Sequence, residues 1–148
     1  MKPLFSLRSA TATDARWIAE LRAVVLKTDL ERLGRYDPVR VRQRFLDGFD
    51  ADQTQVIMVD GETAGSIAVR PDPGSQWIEH FYLDPGQQGK GLGGAVLTLV
   101  MRNAADSRPF RLNVLTGSPA QRLYLRHGFS VESQDAVDVF MVADGTCP

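Results

Sequence analysis

The stretch Asp84-Pro-Gly-Gln-Gln-Gly-Lys-Gly-Leu-Gly-Gly94 decides how the rest of this chain is read. A strand-like run, Gln76–Leu83, ends just before it, and helical spacing begins just after it at Val96, Leu97, Val100 and Met101. Glycines at such a junction permit positive φ and let the backbone approach a ligand without side-chain obstruction. The unpaired amides of a helix start, with the positive end of its dipole, make an anion site, typically for phosphate.

Upstream, Leu4–Arg8 reads as a first strand, and Thr11-Ala-Thr-Asp14 as a helix start with a hydroxyl or carboxylate to cap exposed amides. Trp17, Ile18, Leu21, Val24 and Val25 follow as one apolar stripe. Asp37-Pro38 starts a second helix, with Asp as cap and Pro at the first helical position. Its apolar face is Val41, Phe45 and Phe49, with Arg40, Arg42 and Arg44 expected to point away into solvent. Gln55–Val59 and Thr63–Val69 flank Asp60-Gly61, a two-residue hairpin signal, and Gln76–Leu83 completes the meander. Downstream, Phe110–Leu115 is a strand, and Ser118-Pro119 opens a helix that closes at Gly128. Phe129–Glu132 and Val137–Val142 are the last two strands. The order β-α-α-β-β-β-α-β-α-β-β predicts an α/β domain: a mixed, mostly antiparallel sheet of six to seven strands flanked by about four helices.

A chain of 148 residues without repeats or long linkers is expected to form a single domain over 1–148. The formal charge of −1, with acidic and basic residues interleaved, argues against a nucleic-acid partner, because phosphate neutralisation needs a basic excess. The single Cys147 excludes an internal disulfide and reads as an idle thiol in a reducing compartment. With no long apolar run to suggest a membrane span or leader, a cytoplasmic protein with no membrane partner is expected.

Three phosphate-binding patterns compete for the glycine-rich turn. A P-loop needs a hydroxyl after Gly-Lys, and here Gly91 follows Lys90. A Rossmann turn needs Gly-x-Gly-x-x-Gly early in a βαβ unit, whereas Gly89-x-Gly91-x-Gly93-Gly94 follows a meander. The third pattern, Gln/Arg-x-x-Gly-x-Gly/Ala, is matched by Gln88-Gly-Lys-Gly91-Leu-Gly93. It is the pyrophosphate signature of the GNAT superfamily of N-acetyltransferases, which this chain resembles over essentially its whole length. Ile78-Glu-His-Phe-Tyr-Leu-Asp-Pro85 looks like that family's strand leading into the turn. Ser118-Pro-Ala-Gln-Arg-Leu-Tyr-Leu-Arg-His-Gly-Phe129 resembles its second motif, about 30 residues on, with Ser118 where Asn is usual.

The sequence offers no metal-ligand cluster, so no metal is expected, and homodimers are common among small enzymes. The resemblance implies acetyl-CoA as co-substrate and an amine acceptor (small molecule or peptide). It places the cofactor diphosphate on Gln88, Gly89, Lys90, Gly91, Leu92, Gly93 and Gly94. The pantetheine arm would pair with the backbone of Phe81, Tyr82 and Leu83, and Ser118 would lie beside the cofactor. It puts Tyr124 next to the thioester sulfur as general acid. A phenol with a pKa of about 10 stays protonated at neutral pH and can serve as donor; packing on Phe129 is the structural alternative and is compatible with that role. For the base, Glu79 is favoured over His80. Strand alternation sends the two to opposite faces, so only one should see the cleft. The connection Leu26–Tyr36 is expected to border the acceptor pocket, with Asp29 or Glu31 for an ammonium or Arg32 for a carboxylate. The competing function is a non-catalytic acyl-CoA-binding regulatory module, which needs the turn but neither Tyr124 nor a base.

Overall fold

The computed structural model describes residues 4–145, so Cys147 lies outside the described residues. The expected order of elements is found. β1 (Ser6–Ser9) leads to α1 (Ala15–Arg32) and α2 (Pro38–Gly48). A meander of β2 (Thr54–Val59), β3 (Glu62–Pro71) and β4 (Gln76–Leu83) runs into α3 (Leu92–Ala104). β5 (Phe110–Leu115), α4 (Ala120–Arg126), β6 (Ser130–Gln134) and β7 (Asp138–Ala143) complete the chain. No helix among the described residues is long and apolar enough to cross a membrane.

The strands form one seven-stranded sheet in the order β1-β2-β3-β4-β5-β7-β6. Every neighbouring pair is antiparallel except β4 with β5. On one face, Val96, Leu97, Val100 and Met101 of α3 pack with Tyr124, Phe129 and the inward residues of β3, β5 and β7. On the other, Ile18 and Ala19 of α1 and Phe45 of α2 close over Tyr82. Trp17, Leu21 and Val25 join that second cluster as expected, but Val24 is 58% exposed, because α1 buries a narrower stripe than its apolar residues suggest.

Local signals act where sequence placed them. Asp37 caps α2 by accepting from the amides of Val39 and Arg40, each at 2.9 Å. Asp60 and Gly61 take left-handed φ of 52° and 78° and turn β2 into β3. Asp14 does more than cap. It is almost fully buried and accepts from the Thr11 amide (2.8 Å), the Trp17 indole (2.8 Å) and both terminal nitrogens of Arg8 (2.9 Å each). This ties the end of β1 to the first turn of α1.

Two departures from regular sheet geometry open the site. First, β4 and β5 pair only at Gln76 with Phe110 and Trp77 with Arg111, then diverge, so the facing edges of both strands are unpaired farther along. Second, the register of β3 against β4 shifts between Ser66 and Ala68, which face Tyr82 and Glu79 and so leave one extra residue on β4. At that bulge His80 has φ +51°, a conformation uncommon for any residue but glycine. The Ser66 hydroxyl donates to the His80 carbonyl at 2.8 Å, satisfying a group there. Gly65 sits alongside, where a Cβ would lie 2.1 Å from the Tyr82 carbonyl oxygen; only glycine allows the two strands this approach.

Candidate active site

The glycine-rich turn is held from below and open above. The Asp84 carboxylate accepts from the Gly86 amide (2.9 Å), the Gln87 amide donates to the Asp84 carbonyl (2.8 Å), and the Gln88 side chain donates to the Leu83 carbonyl (3.0 Å). Gly89 and Gly91 have φ of 76° and 81°, and nothing lies within 4 Å of where a Cβ would stand on either. The first bond of α3 runs from the Ala95 amide to the Gly91 carbonyl. From Gly89 to Gly94, no amide donates to an acceptor among the described residues. Unpartnered N–H groups at a helix mouth, with φ-positive glycines between them, are the nest arrangement that suits an anion, and Gly89, Gly91, Gly93 and Gly94 present theirs along a cleft.

The members of the turn play different parts. Leu92 is buried in the core, and neither it nor Lys90 lines the cleft, contrary to their expected place on the cofactor. Gly93 and Gly94 provide close packing: a Cβ on Gly94 would meet the His127 ring at 3.1 Å, and one on Gly93 would touch Leu123 and Leu83 at 3.5 Å. Lys90 is exposed at the tip.

The turn opens into a cleft of ≈ 1500 Å³ where β4 and β5 diverge. Phe81, Tyr82, Leu83 and Ser118 line it, as expected. The Ser118 hydroxyl accepts from the Ala120 amide at 3.2 Å, which caps α4. The expectation that Glu79 and His80 face opposite ways is corrected by the bulge. Ile78 and Phe81 pack with the α3 side of the sheet, while the His80 ring meets the α2 residue Phe45 edge-on at 4.9 Å. Glu79 pairs with Arg70 at 2.9 and 3.2 Å. Val69 packs on the α3 side, so alternation along β3 puts Arg70, and with it Glu79, on the same side as His80. Both residues therefore line one cleft.

Their surroundings differ. Burial holds His80 below the usual imidazole range, with Glu79 opposing and Arg22 reinforcing. Its Nδ1 lies 3.1 Å from the Tyr82 hydroxyl, which accepts from Arg22 Nε at 3.0 Å. The tautomer sets the direction of the His80–Tyr82 bond: with the proton on Nδ1, His80 donates to the Tyr82 oxygen and a neutral ring keeps Nε2 as an acceptor. Arg22, from the middle of α1, was not anticipated; it also donates to the Val41 carbonyl and so joins both acceptor-side helices to β4. A polar residue inside the apolar stripe of α1 was its only signal.

Tyr124 is 8% exposed and its ring meets Phe129 edge-on at 5.7 Å. Its hydroxyl has no partner among the described residues yet is not sealed from the cleft it lines. Burial, with a smaller effect from Tyr82, pushes the phenol well above its ordinary range, so it is protonated at any physiological pH.

The stretch from Leu26 to Tyr36 does border the cleft, but its charges are partly committed. Arg32 donates to Asp29 at 2.6 Å and to the Thr116 carbonyl, bridging from α1 to the loop after β5, so neither Asp29 nor Arg32 is free. Glu31 does not line the cleft. Of the three arginines of α2, Arg42 pairs with Glu20 at 2.7 Å, while Arg40 and Arg44 are exposed, as expected, and border the cleft.

At the head of a mixed sheet splayed at its one parallel pair lies a glycine-rich turn with unbonded amides. Residues 50–131, more than half of the chain, match the family described as Acetyltransferase (GNAT) domain, and the chain belongs to that family of acetyltransferases. No curated protein matches it in sequence. Among solved structures it is similar to the PaiA N-acetyltransferase of Thermoplasma acidophilum in complex with coenzyme A (16% identity, TM-score 0.73, 95% of this chain and 99% of that one). An N-acetyltransferase of Staphylococcus aureus Mu50 is similar at 16% identity, TM-score 0.73, over 93% and 100%. N-acetylglutamate synthase of Neisseria gonorrhoeae, complexed with coenzyme A and N-acetyl-glutamate, is similar at 16% identity and TM-score 0.65, over 97% of this chain and 36% of that one. At such identities these likenesses establish the fold.

Proposed function

We propose that this chain is a single-domain N-acetyltransferase that moves an acetyl group from acetyl-CoA to a primary amine by direct attack in a ternary complex. The observation that carries this reading is that one cleft is lined by Gly89, Gly91, Gly93 and Gly94, whose amides have no partner among the described residues, and by Tyr124 with its unpartnered hydroxyl. The diphosphate takes the amides, and the pantetheine arm lies along the open edge of β4 at Phe81–Leu83, in the manner of an added strand. This leads the thioester toward Tyr124.

The amine nitrogen then attacks the carbonyl carbon. An N–C bond forms, the C–S bond breaks, and the sulfur takes the Tyr124 proton as the thiolate departs. Tyr124 is suited to this because burial keeps it protonated, and the same burial raises the proton affinity of a thiolate beside it. The amine's proton passes to Glu79, through water, since that carboxylate already accepts two Arg70 N–H bonds. A second reading gives this step to His80, favoured by the burial that keeps its ring neutral.

Free-thiol release from acetyl-CoA across an amine panel tests the activity. Tyr124→Phe should leave acetyl-CoA affinity within a few-fold and lower turnover at least tenfold, in line with general-acid contributions of about 10²–10⁴. Equal turnover in the two proteins removes Tyr124 from the mechanism.

A further inference from the structure

The buried stripe of α2 is Val41 and Phe45. Arg40 and Arg44 each precede one of these by a single position, so they sit about 100° round the helix, at the border between the buried face and the cleft. Phe45 touches the His80 ring, and the Val41 carbonyl accepts from Arg22, which also holds Tyr82. The two arginines therefore flank the part of the cleft that faces the bulge of β4, away from the amide nest.

Neither guanidinium has a partner among the described residues. The carboxylates on the same cleft are all engaged. Asp29 pairs with Arg32, and Glu79 with Arg70. Asp37 accepts from two amides of α2, Asp135 from the amides of Val137 and Asp138, and Asp138 from the Asn113 side chain. Arg35 adds positive potential near Asp135. What this end of the cleft offers a ligand is thus two exposed, forked cations four residues apart on α2 with no bond to any carboxylate among the described residues, and such forks suit an oxyanion.

We propose that Arg40 and Arg44 bind an anionic group, carboxylate or phosphate, carried by the acceptor alongside its amine. The inference rests on the acetyl-transfer reading for the amine's fate, but the anion subsite can be measured apart from it. It also disfavours a polycationic acceptor, whose second ammonium would meet two arginines.

Two measurements are paired. In thiol-release assays, amino acids are compared with their amides, phosphoethanolamine with ethanolamine, and spermidine is included. In calorimetry, N-acetylated amino acids and their amides are titrated into the CoA-saturated protein. The expected result is at least about a tenfold kcat/KM advantage for the anionic member of one pair. That advantage should vanish in R40Q/R44Q, which keeps its acetyl-CoA Kd. Preference within the amino acid pair identifies a carboxylate, and preference within the ethanolamine pair a phosphate. Arginine-dependent binding of N-acetyl amino acids without turnover of any amine supports the subsite and overturns the transferase reading instead. Equal use of charged and neutral acceptors, preference for spermidine, or anion binding unchanged in R40Q/R44Q overturns the subsite.

Discussion

Gly91→Val isolates the physical basis of cofactor binding. Gly91 stands at φ +81° at the head of α3, and a Cβ there would touch nothing within 4 Å. Crowding by neighbouring atoms is therefore not what a side chain would change; the backbone is. An L-residue in the left-handed region costs about 1–2 kcal/mol, and a β-branched one is a genuine outlier there. Valine thus drives this residue toward negative φ, turning the peptide groups on either side and taking the Gly91 amide out of the nest. A hydrogen bond to a charged acceptor is worth about 1.5–3 kcal/mol, so losing one weakens acetyl-CoA by about tenfold or more in Kd. Gly61→Val is the control. It has φ +78°, equally open surroundings and no place on the cleft, so it carries the same backbone penalty without touching the nest. Calorimetry with acetyl-CoA reads both. A folded Gly91→Val protein that binds within a few-fold of the unsubstituted chain, or a Gly61→Val protein that binds as weakly as Gly91→Val, refutes the nest as the diphosphate site.

Glu79→Gln and His80→Gln separate the two bases. The one that acts loses at least about tenfold in kcat, and the other leaves kcat within a few-fold. If His80 acts, its folded pKa below the usual 6.5 keeps the ring neutral and competent at neutral pH, so the ratio of kcat/KM for the unsubstituted chain to that for His80→Gln, which cancels ionisation of the amine, is flat at neutral pH and falls only in acid; a ratio still rising above pH 7 contradicts this. Asp14→Ala removes a buried carboxylate that satisfies Arg8, Thr11 and Trp17. The expected loss is about 3 kcal/mol, or roughly 6–12 °C in Tm by thermal denaturation. Because Arg8 holds the folded pKa of Asp14 well below its unfolded value near 3.9, that stabilisation is full at neutral pH and erodes as acid takes the pH below about 4. The difference between the two proteins should narrow there.

Most of the fold was legible because its signals are local. Asp37-Pro38, Asp60-Gly61 and the glycine-rich turn each act within a few residues, through a cap, a pair of left-handed torsions and a helix mouth. The candidate site was less so, because what shapes it is a relation between strands. Nothing in Ile78-Glu-His-Phe-Tyr-Leu83 marks His80 as the residue that takes φ +51°; the cause is the register that β3 imposes, with Gly65 letting the chains close up and Ser66 bonding the His80 carbonyl. Period-two reasoning fails at one bulge, and it fails where it matters, since the slip brings Glu79 and His80 to a common side. Charge patterning fails for a similar reason. Arg40, Arg42 and Arg44 look alike in sequence, yet Arg42 has Glu20 within reach on α1 and the other two have the cleft. Where α2 lies against β4 decides which arginine is structural and which is available. The same bulge and the same helix packing therefore put a neutral imidazole, an ion-paired carboxylate and two unpartnered guanidiniums around one opening. On the proposed reading, acceptor choice rests on tertiary contacts, whereas cofactor binding rests on the eleven residues from Asp84 to Gly94.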